Sequence, residues 1–297
     1  MLAPWLEVPG VAASLAGASD VAELDLVRLG TTADADEIRD TAIAQPLLVA
    51  TALATAQALA IGAPEAAVPR IVAGHSVGEF GALALAGVLD ESTALRLVSL
   101  RGRAMAEAAG RVPTGMSAVL GGEPDEVLAR IAEAGLTAAN VNGGGQVVAA
   151  GTLDALADLA AAPPARSRVI PLQVAGAFHT QFMAPAVDEL RAAAESVAVS
   201  DPGVTLLSNA DGAAVATGAE ALRLVVNQVA HPVRWDLCQA TMASLGVTGL
   251  LELAPGGVLT GLARRALPGV ETVALKTPAD LDAARDLARR HTTKEHP

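Results

Sequence analysis

The stretch Gly74-His75-Ser76-Val77-Gly78 has the pattern G-x-S-x-G, which is typical of the tight turn that carries a nucleophilic serine between a strand and a helix. An apolar run of strand type precedes it (residues 71–73), and a run rich in small residues (79–89) predicts the helix after it. On such a turn the Ser76 hydroxyl is exposed, and the Val77 N–H points to where an oxyanion would form. The alternative is a glycine-rich turn without chemistry, because so short a pattern also arises by chance.

Composition limits the classes of protein to which the chain can belong. With 297 residues, 52% of them hydrophobic, it can bury one large core or two modest ones. A formal net charge of −12 would repel phosphate backbones, so we expect no nucleic-acid partner. The single cysteine, Cys238, excludes disulfides within the chain and favours a reducing, cytoplasmic location. The first ten residues contain no lysine or arginine, which argues against a signal peptide.

One uncharged stretch, residues 45–64, is nearly long enough to span a bilayer. It contains Gln45, Thr51 and Thr55, and such polar side chains are unfavourable in lipid. We therefore predict a helix over residues 41–61 that is buried in the core of an α/β protein, and no membrane association.

The order of elements predicts two structural units. Strands alternate with helices in the first half, which predicts a mainly parallel sheet with helices on both faces. Residues 115–174 then show the ferredoxin-like order β-α-β-β-α-β. We predict an α/β fold with a large α/β-hydrolase-like domain (1–112 and 176–297) that carries the serine turn, and an inserted small ferredoxin-like domain (113–175). A further helix is predicted over 181–197, and the tail 291–297 is expected to fray.

A serine nucleophile needs a base, and the chain has five histidines. His291 and His296 lie in the polar tail, His231 precedes a proline in a loop, and His75 lies inside the serine turn. His179 remains, at the junction of the two predicted domains, where active sites commonly form. The alternative for His179 is a loop histidine bonded to backbone.

Six motifs occur in one order along the chain. They are GHSVGEF (74–80), RGRAM (101–105), NVN (140–142), GAFH (176–179), NQVAHPV (227–233) and ELAPGGVLTGL (252–262). Together they resemble the malonyl-CoA:acyl carrier protein transacylase family, whose fold also forms the acyltransferase domains of polyketide and fatty-acid synthases. The match runs from about Trp5 to the C-terminal helix.

The resemblance implies a transfer reaction in two steps. Ser76 would attack the thioester of malonyl-CoA while His179 takes its proton, and the thiol of the phosphopantetheine arm of acyl carrier protein would then accept the malonyl group. In the family a backbone carbonyl orients the histidine, and Gln228 matches the residue that supplies it. CoA and the arm are substrates, and neither a cofactor nor a metal is implied. The family also implies a monomer.

The resemblance also assigns the substrate pocket. Arg101 matches the arginine that holds the free carboxylate of malonate, a role that suits a planar guanidinium. Phe178 resembles the malonyl-selecting version, in which a ring beside the histidine leaves little room for a methyl group on the α-carbon. Met105 would line the same pocket, and a core methionine is an equally good interpretation. Asn142, with Asn140, would support the base or the substrate from the small domain.

An acidic carrier protein needs a basic docking site, and Arg264-Arg265 is the best local candidate. The alternative is a charge pair that stabilises the C-terminal end of a helix. Two other functions stay open: a serine hydrolase of esters or thioesters, against which Arg101 argues, and a truncated paralogue that binds carrier protein without efficient catalysis. Fatty-acid and polyketide synthesis are not distinguished.

The chain departs from the family pattern at its start. Members usually open with a strand and a Gly-Gln-Gly-Ser/Ala-Gln loop, whose first glutamine supplies a second oxyanion N–H. Residues 1–10 resemble the part of the family pattern that lies directly after this loop. Val77 would then be the only identifiable oxyanion donor, and a missing core strand would leave backbone groups unpaired. We expect the natural start to lie further upstream, with a crippled paralogue as the alternative.

Overall fold

A computed structural model describes residues 2–60 and 69–292 of the chain. The α-helices are α1 (Val11–Ala22), α2 (Leu26–Thr31), α3 (Thr41–Ala60), α4 (Gly78–Leu85), α5 (Glu91–Ala109), α6 (Pro124–Glu133), α7 (Leu153–Ala161), α8 (Ala184–Ala194), α9 (Gly218–Asn227), α10 (Trp235–Ser244), α11 (Val258–Ala266) and α12 (Leu281–Thr292). The strands are β1 (Ile71–Val72), β2 (Thr114–Gly121), β3 (Thr137–Gly143), β4 (Gln146–Thr152), β5 (Ser167–Pro171), β6 (Thr205–Leu206), β7 (Val233–Arg234), β8 (Gly249–Glu252) and β9 (Glu271–Ala274). Short 3-10 helices include Ala3–Glu7, Gln181–Met183 and Gln228–Ala230.

The largest hydrophobic core is formed by helices, with α3 at its centre. Buried side chains of α1, α3, α4, α5, α8 and α9 pack into one cluster. Of the helices that the structure describes, α3 alone is long and apolar enough to cross a membrane, and 61% of its most apolar window is buried inside the protein. A buried core helix passes that length and composition test as well, so the result is weak evidence for a membrane span. The predicted C-terminal end of this helix, residue 61, lies outside the described residues.

A five-stranded sheet of order β5-β2-β4-β3-β7 forms a second layer. Its first four strands pair antiparallel and, with α6 and α7 packed on one face, have the β-α-β-β-α-β order. Strand β7, which comes much later in the chain, pairs parallel with β3 and links this unit to the serine-bearing part. The domain boundaries at residues 112 and 176 stay a prediction.

Outside the five-stranded sheet, the parallel strands of the described chain form two separate pairs, β1 with β6 and β8 with β9. Between residues 69 and 292, no backbone pairing joins β1 to β8. Both strands nevertheless contribute to the same two clusters. Val72 and Leu251 pack into the large helical core, and Ile71 and Leu250 pack into the cluster around Trp235. The parallel sheet expected for this part of the chain is therefore present as two two-stranded pieces.

Three local predictions need correction. The helix predicted over 79–89 ends at Leu85, because Gly87 adopts a left-handed conformation (φ +76°) that terminates it. The helix predicted from residue 181 becomes α-helical only at Ala184, because Pro185 fits the first helical turn and not the interior. The tail does not fray from His291, which lies in α12 with Nδ1 2.8 Å from Thr248 Oγ1. Residues 293–297 lie outside the described chain.

Candidate active site

The serine turn has the strained geometry that its sequence predicts. Ser76 adopts a left-handed backbone conformation (φ +51°) between β1 and α4, which is uncommon for a residue other than glycine. Gly74 is required by the close approach of the backbone, since a Cβ there would lie 2.0 Å from the carbonyl carbon of Gly78. A Cβ at Gly78 would meet no atom within 4 Å. The first glycine of the motif is therefore sterically essential and the second is not.

Ser76 and His179 form a nucleophile–base pair. The Oγ atom of Ser76 lies 2.7 Å from Nε2 of His179, although the two residues are 103 positions apart in the chain. On the other side of the ring, Nδ1 lies 2.8 Å from the backbone oxygen of Gln228. A carbonyl can only accept a hydrogen bond, so Nδ1 carries the proton and Nε2 is free to accept the serine proton. This is the tautomer that a general base needs.

The imidazole of His179 is kept neutral by its surroundings. The residue is buried, and burial together with the charge of Arg101 lowers its pKa to about 3. The base is therefore deprotonated across the physiological pH range. Its backbone is left-handed (φ +61°), so the loop holds the ring in place at a conformational cost.

Arg101 is buried beside the nucleophile, only 1% of it being exposed. Its Nη1 donates to Gln45 Oε1 (2.6 Å), and its Nη2 donates to Gln228 Oε1 (2.9 Å) and lies 3.3 Å from Ser76 Oγ. All three acceptors are uncharged, and within the described chain the guanidinium forms no ion pair and its Nε–H has no partner. Burial lowers the Arg101 pKa to about 10, so the group stays a cation at neutral pH. A buried cation without a carboxylate partner is a site for an anionic group of a ligand.

Gln45 is a site residue that the sequence did not reveal as one. It lies in the buried helix α3, and its Nε2 donates to Thr41 Oγ1 (2.8 Å) and lies 3.5 Å from Met105 Sδ. These contacts orient the amide so that Oε1 faces Arg101. The available signal was a glutamine inside a mostly apolar helix, because a buried amide needs polar partners.

Two further buried residues, Asn209 and Glu79, are linked to the serine turn by hydrogen bonds, Asn209 directly and Glu79 through Asn209. Asn209 Oδ1 accepts the Ser76 N–H (2.8 Å), and Asn209 Nδ2 donates to the Gly74 carbonyl (2.8 Å). Glu79 accepts the Asn209 N–H (2.7 Å) and the side-chain amide of Gln228. Neither residue was among the predicted site residues.

The pocket residues predicted from the resemblance lie around this centre. Met105 is buried against Gln45, and the half-buried Phe178 packs between the helical core and the sheet. Asn142 Oδ1 lies 2.8 Å from His75 Nε2, and its amide donates to Gln146 Oε1 (2.9 Å). Asn142 thus connects the serine turn to β3.

In the part of the chain that the structure describes, the Val77 N–H stays available to an oxyanion. The Ser76 N–H is engaged by Asn209, whereas no residue in the described chain accepts a hydrogen bond from the Val77 N–H. Arg264 and Arg265 are exposed in the last turn of α11.

A serine on a strained turn, a neutral buried imidazole and a buried cation together define a serine-dependent acyltransferase or hydrolase site. Comparison with known proteins selects the first class, because a model of the acyl transferase domain family matches residues 13–286. The malonyl CoA-acyl carrier protein transacylase of Mycobacterium tuberculosis is 53% identical over 287 residues, which are 97% of this chain and 95% of that relative. The corresponding Escherichia coli protein is 33% identical over 285 residues, 94% of this chain and 92% of the relative. The chain belongs to the malonyl CoA-acyl carrier protein transacylase family, which confirms the resemblance seen in its motifs.

Solved structures agree with this assignment. The crystal structure of the Mycobacterium tuberculosis enzyme superimposes with a TM-score of 0.92 over 96% of this chain and 94% of that one. A malonyl-transacylase solved in complex with a type II polyketide-synthase acyl-carrier protein is 32% identical and superimposes with a TM-score of 0.90, covering 96% and 94%. The predicted α/β fold class is confirmed.

The close approach at Gly74 gives a direct test of the serine turn. We expect Gly74→Ala to slow covalent labelling of Ser76 by a fluorophosphonate at least tenfold, because the new methyl group must displace the Gly78 backbone. Gly78→Ala is the matched control and should label at close to the wild-type rate. Labelling rates are measured by intact-protein mass spectrometry. Equal rates for Gly74→Ala and wild type would contradict the steric argument.

Proposed function

We propose that this enzyme transfers the malonyl group from malonyl-CoA to the phosphopantetheine thiol of acyl carrier protein, through an ester on Ser76. The observation that carries the proposal is Arg101, a buried guanidinium 3.3 Å from the nucleophile with only neutral acceptors around it. It would bind the free carboxylate of the malonyl group while Ser76 attacks the thioester carbonyl. A hydrolase of neutral esters has no use for such a cation.

In the first half-reaction the Ser76 hydroxyl proton passes to Nε2 of His179 as Oγ bonds to the thioester carbon. The tetrahedral oxyanion forms within reach of the Val77 N–H. The carbon–sulfur bond then breaks, His179 gives its proton to the CoA thiolate, and a malonyl–Ser76 ester remains.

The second half-reaction reverses these steps with a different thiol. The carrier-protein arm gives its proton to His179, its sulfur attacks the ester carbonyl, and Ser76 leaves and recovers the proton. The backbone carbonyl of Gln228 keeps the Nδ1–H of His179 oriented throughout, so only Nε2 of that ring exchanges protons. One imidazole serves every proton transfer, so we assign no cofactor or metal, and CoA and the arm are substrates. We place this reaction in the cytoplasm and assign it to a monomer.

Phe178 and Met105 are proposed to set the size of the acyl group. Phe178 precedes the base, and Met105 is one helical turn from Arg101 and contacts its partner Gln45. A ring beside the base restricts space at the α-carbon of a bound malonyl group. Discrimination by one methyl group is worth about 1–3 kcal/mol, so methylmalonyl transfer should be slower without being abolished.

The identity of the acyl-enzyme separates this function from its competitors. After mixing with malonyl-CoA, we expect intact-protein mass spectrometry to show a malonyl adduct on Ser76 that persists until carrier protein is added. Rapid release of free malonate would instead identify a hydrolase. A protein that binds carrier protein but forms no adduct would be a non-catalytic paralogue, and either result would reject the proposal.

Arg101 provides the test of substrate selection. Arg101→Ala should lower kcat/KM for malonyl transfer by about 10- to 150-fold, because a hydrogen bond to a charged group is worth about 1.5–3 kcal/mol. Acetyl transfer, which involves no carboxylate, should fall much less. The matched control is Arg103→Ala, an exposed arginine of the same helix, which should leave both rates unchanged. Equal losses for malonyl and acetyl groups would remove the carboxylate-binding role.

Carrier-protein docking is proposed to use Arg264 and Arg265. Both side chains are exposed on a protein of net charge −12, so they offer a local positive site to an acidic partner. Charge reversal at both positions (R264E, R265E) should raise KM for carrier protein several-fold and leave the rate of Ser76 acylation by malonyl-CoA unchanged. The acylation step serves as the internal control. An unchanged KM would leave the pair as a helix-terminal charge.

A further inference from the structure

Glu79 is a buried carboxylate that the proposed chemical steps do not use. It lies in the first turn of α4, three residues after the nucleophile, and 5% of it is exposed. A buried carboxylate is costly unless its oxygens are bonded. Both oxygens of Glu79 are bonded, and each one leads to a different part of the active site.

One carboxylate oxygen reaches the serine turn. Glu79 Oε1 accepts the Asn209 N–H (2.7 Å), and the Asn209 side chain binds the two backbone groups on either side of His75. Its Oδ1 accepts the Ser76 N–H (2.8 Å) and its Nδ2 donates to the Gly74 carbonyl (2.8 Å). The backbone that leads into the left-handed Ser76 is thereby held in place.

The other oxygen reaches the base and the cation. Glu79 Oε2 accepts the Nε2–H of Gln228, which fixes the direction of that amide. Gln228 Oε1 then faces Arg101 Nη2 (2.9 Å), and the Gln228 backbone oxygen faces His179 Nδ1 (2.8 Å). Hydrogen bonds from the nucleophile turn, and from the residue that contacts the base and the cation, thus lead to one carboxylate.

We propose that Glu79 is a positioning residue which, through Asn209 and Gln228, sets the relative placement of Ser76, His179 and Arg101. It touches none of the reacting atoms. Its oxygens only accept hydrogen bonds while the group is ionised, and this fixes the direction of the Gln228 side-chain amide. This positioning role rests on the proposed function, in which Ser76, His179 and Arg101 act together.

Loss of the charge has a specific chemical consequence. A protonated acid or a glutamine at position 79 has a donor where Oε2 now accepts, and this donor opposes the Gln228 Nε2–H. Rotation of the Gln228 amide relieves that conflict but turns its NH₂ group toward the Arg101 guanidinium. The cation then loses an acceptor and moves, whereas a purely packing role for Glu79 would not involve its charge.

The pH at which Glu79 loses its charge depends on the groups that face it. These are Arg101 on α5, which favours the ionised form, and the Cys238 thiol on α10, whose own pKa is raised to about 12 and which is therefore uncharged. Ser208, Asn209 and Gln228 contribute uncharged donors. Burial dominates and raises the Glu79 pKa to about 7. The carboxylate is ionised above that pH and is lost as the pH falls through it.

The test uses the full-length enzyme and Glu79→Gln. We expect kcat/KM for malonyl transfer in the wild type to fall as the pH drops below 7. His179 cannot produce this acid limb of the pH profile, because its pKa is much lower. Glu79→Gln should abolish this limb, lower the malonyl-to-acetyl rate ratio at least tenfold, and slow fluorophosphonate labelling of Ser76. Glu79→Asp, which keeps the charge, should partly restore all three.

The matched control is Glu252→Gln. Glu252 is also buried, and it accepts the N–H groups of Gly257, Leu259 and Thr260 at the start of α11, with no bond to the site. This variant should keep the limb, the ratio and the labelling rate.

Any of three results overturns the inference: an unchanged limb and ratio in Glu79→Gln, equal loss of malonyl and acetyl transfer with the limb retained, or labelling at the wild-type rate. If Glu79→Gln does not fold, the pH profile of the wild-type enzyme tests the inference instead. Its acid limb must be present for malonyl transfer and weak for acetyl transfer. Labelling requires no acyl-CoA substrate, so a wild type that labels but forms no malonyl adduct rejects the proposed function while Glu79 is still tested.

Discussion

The solvation of one buried cation organises the active site. Transfer of an isolated charge into a protein interior costs several kcal/mol even after relaxation, so the fold must supply acceptors for Arg101. It does so with the side-chain carbonyl oxygens of Gln45 and Gln228. The centre of the Phe80 ring lies 6.0 Å from Cζ of Arg101, and the negative charge of Glu79 acts from further away. None of these neutralises the guanidinium by direct pairing. The site therefore keeps a full positive charge next to the nucleophile, which only an incoming anion can pair.

This arrangement depends on elements that are far apart in the chain. Arg101 and Gln45 are 56 residues apart and face each other because α3 and α5 pack together in the main core. Gln228 comes 127 residues after Arg101, in a 3-10 helix directly after α9. The helical core thus determines the position of each acceptor. Because these partners are far apart in the chain, the site depends on the packing of the fold. Separation of α3 from α5 would remove the Gln45 acceptor from Arg101.

Sequence motifs predicted the residues that face the reaction better than those that support them. Ser76 lies in a short pattern with a chemical meaning, and the resemblance to the family assigned roles to His179 and Arg101. Their approach in the structure was therefore expected. Gln45 and Asn209 lie in no such pattern, and their partners are 56 and 133 residues away. Single-sequence reasoning has no measure of such long-range contacts. A different limit explains why α1 was not predicted. Its mixture of small apolar and polar residues gives only a weak amphipathic pattern.

Arg101, which is proposed to bind the substrate, also acts on the base. Besides burial, the charge of Arg101 lowers the pKa of His179, because an imidazolium beside a cation is unfavourable. A carboxylate bound to Arg101 cancels most of that field, so under the proposed function a malonyl substrate raises the basicity of the group that must deprotonate Ser76. Each pKa unit regained is worth about 1.4 kcal/mol to the proton transfer. An acetyl group brings no such charge and leaves the base weak. Under the proposed function, selectivity for the diacid therefore enters through the chemical step, and the enzyme can prefer malonyl groups without binding them tightly in the ground state.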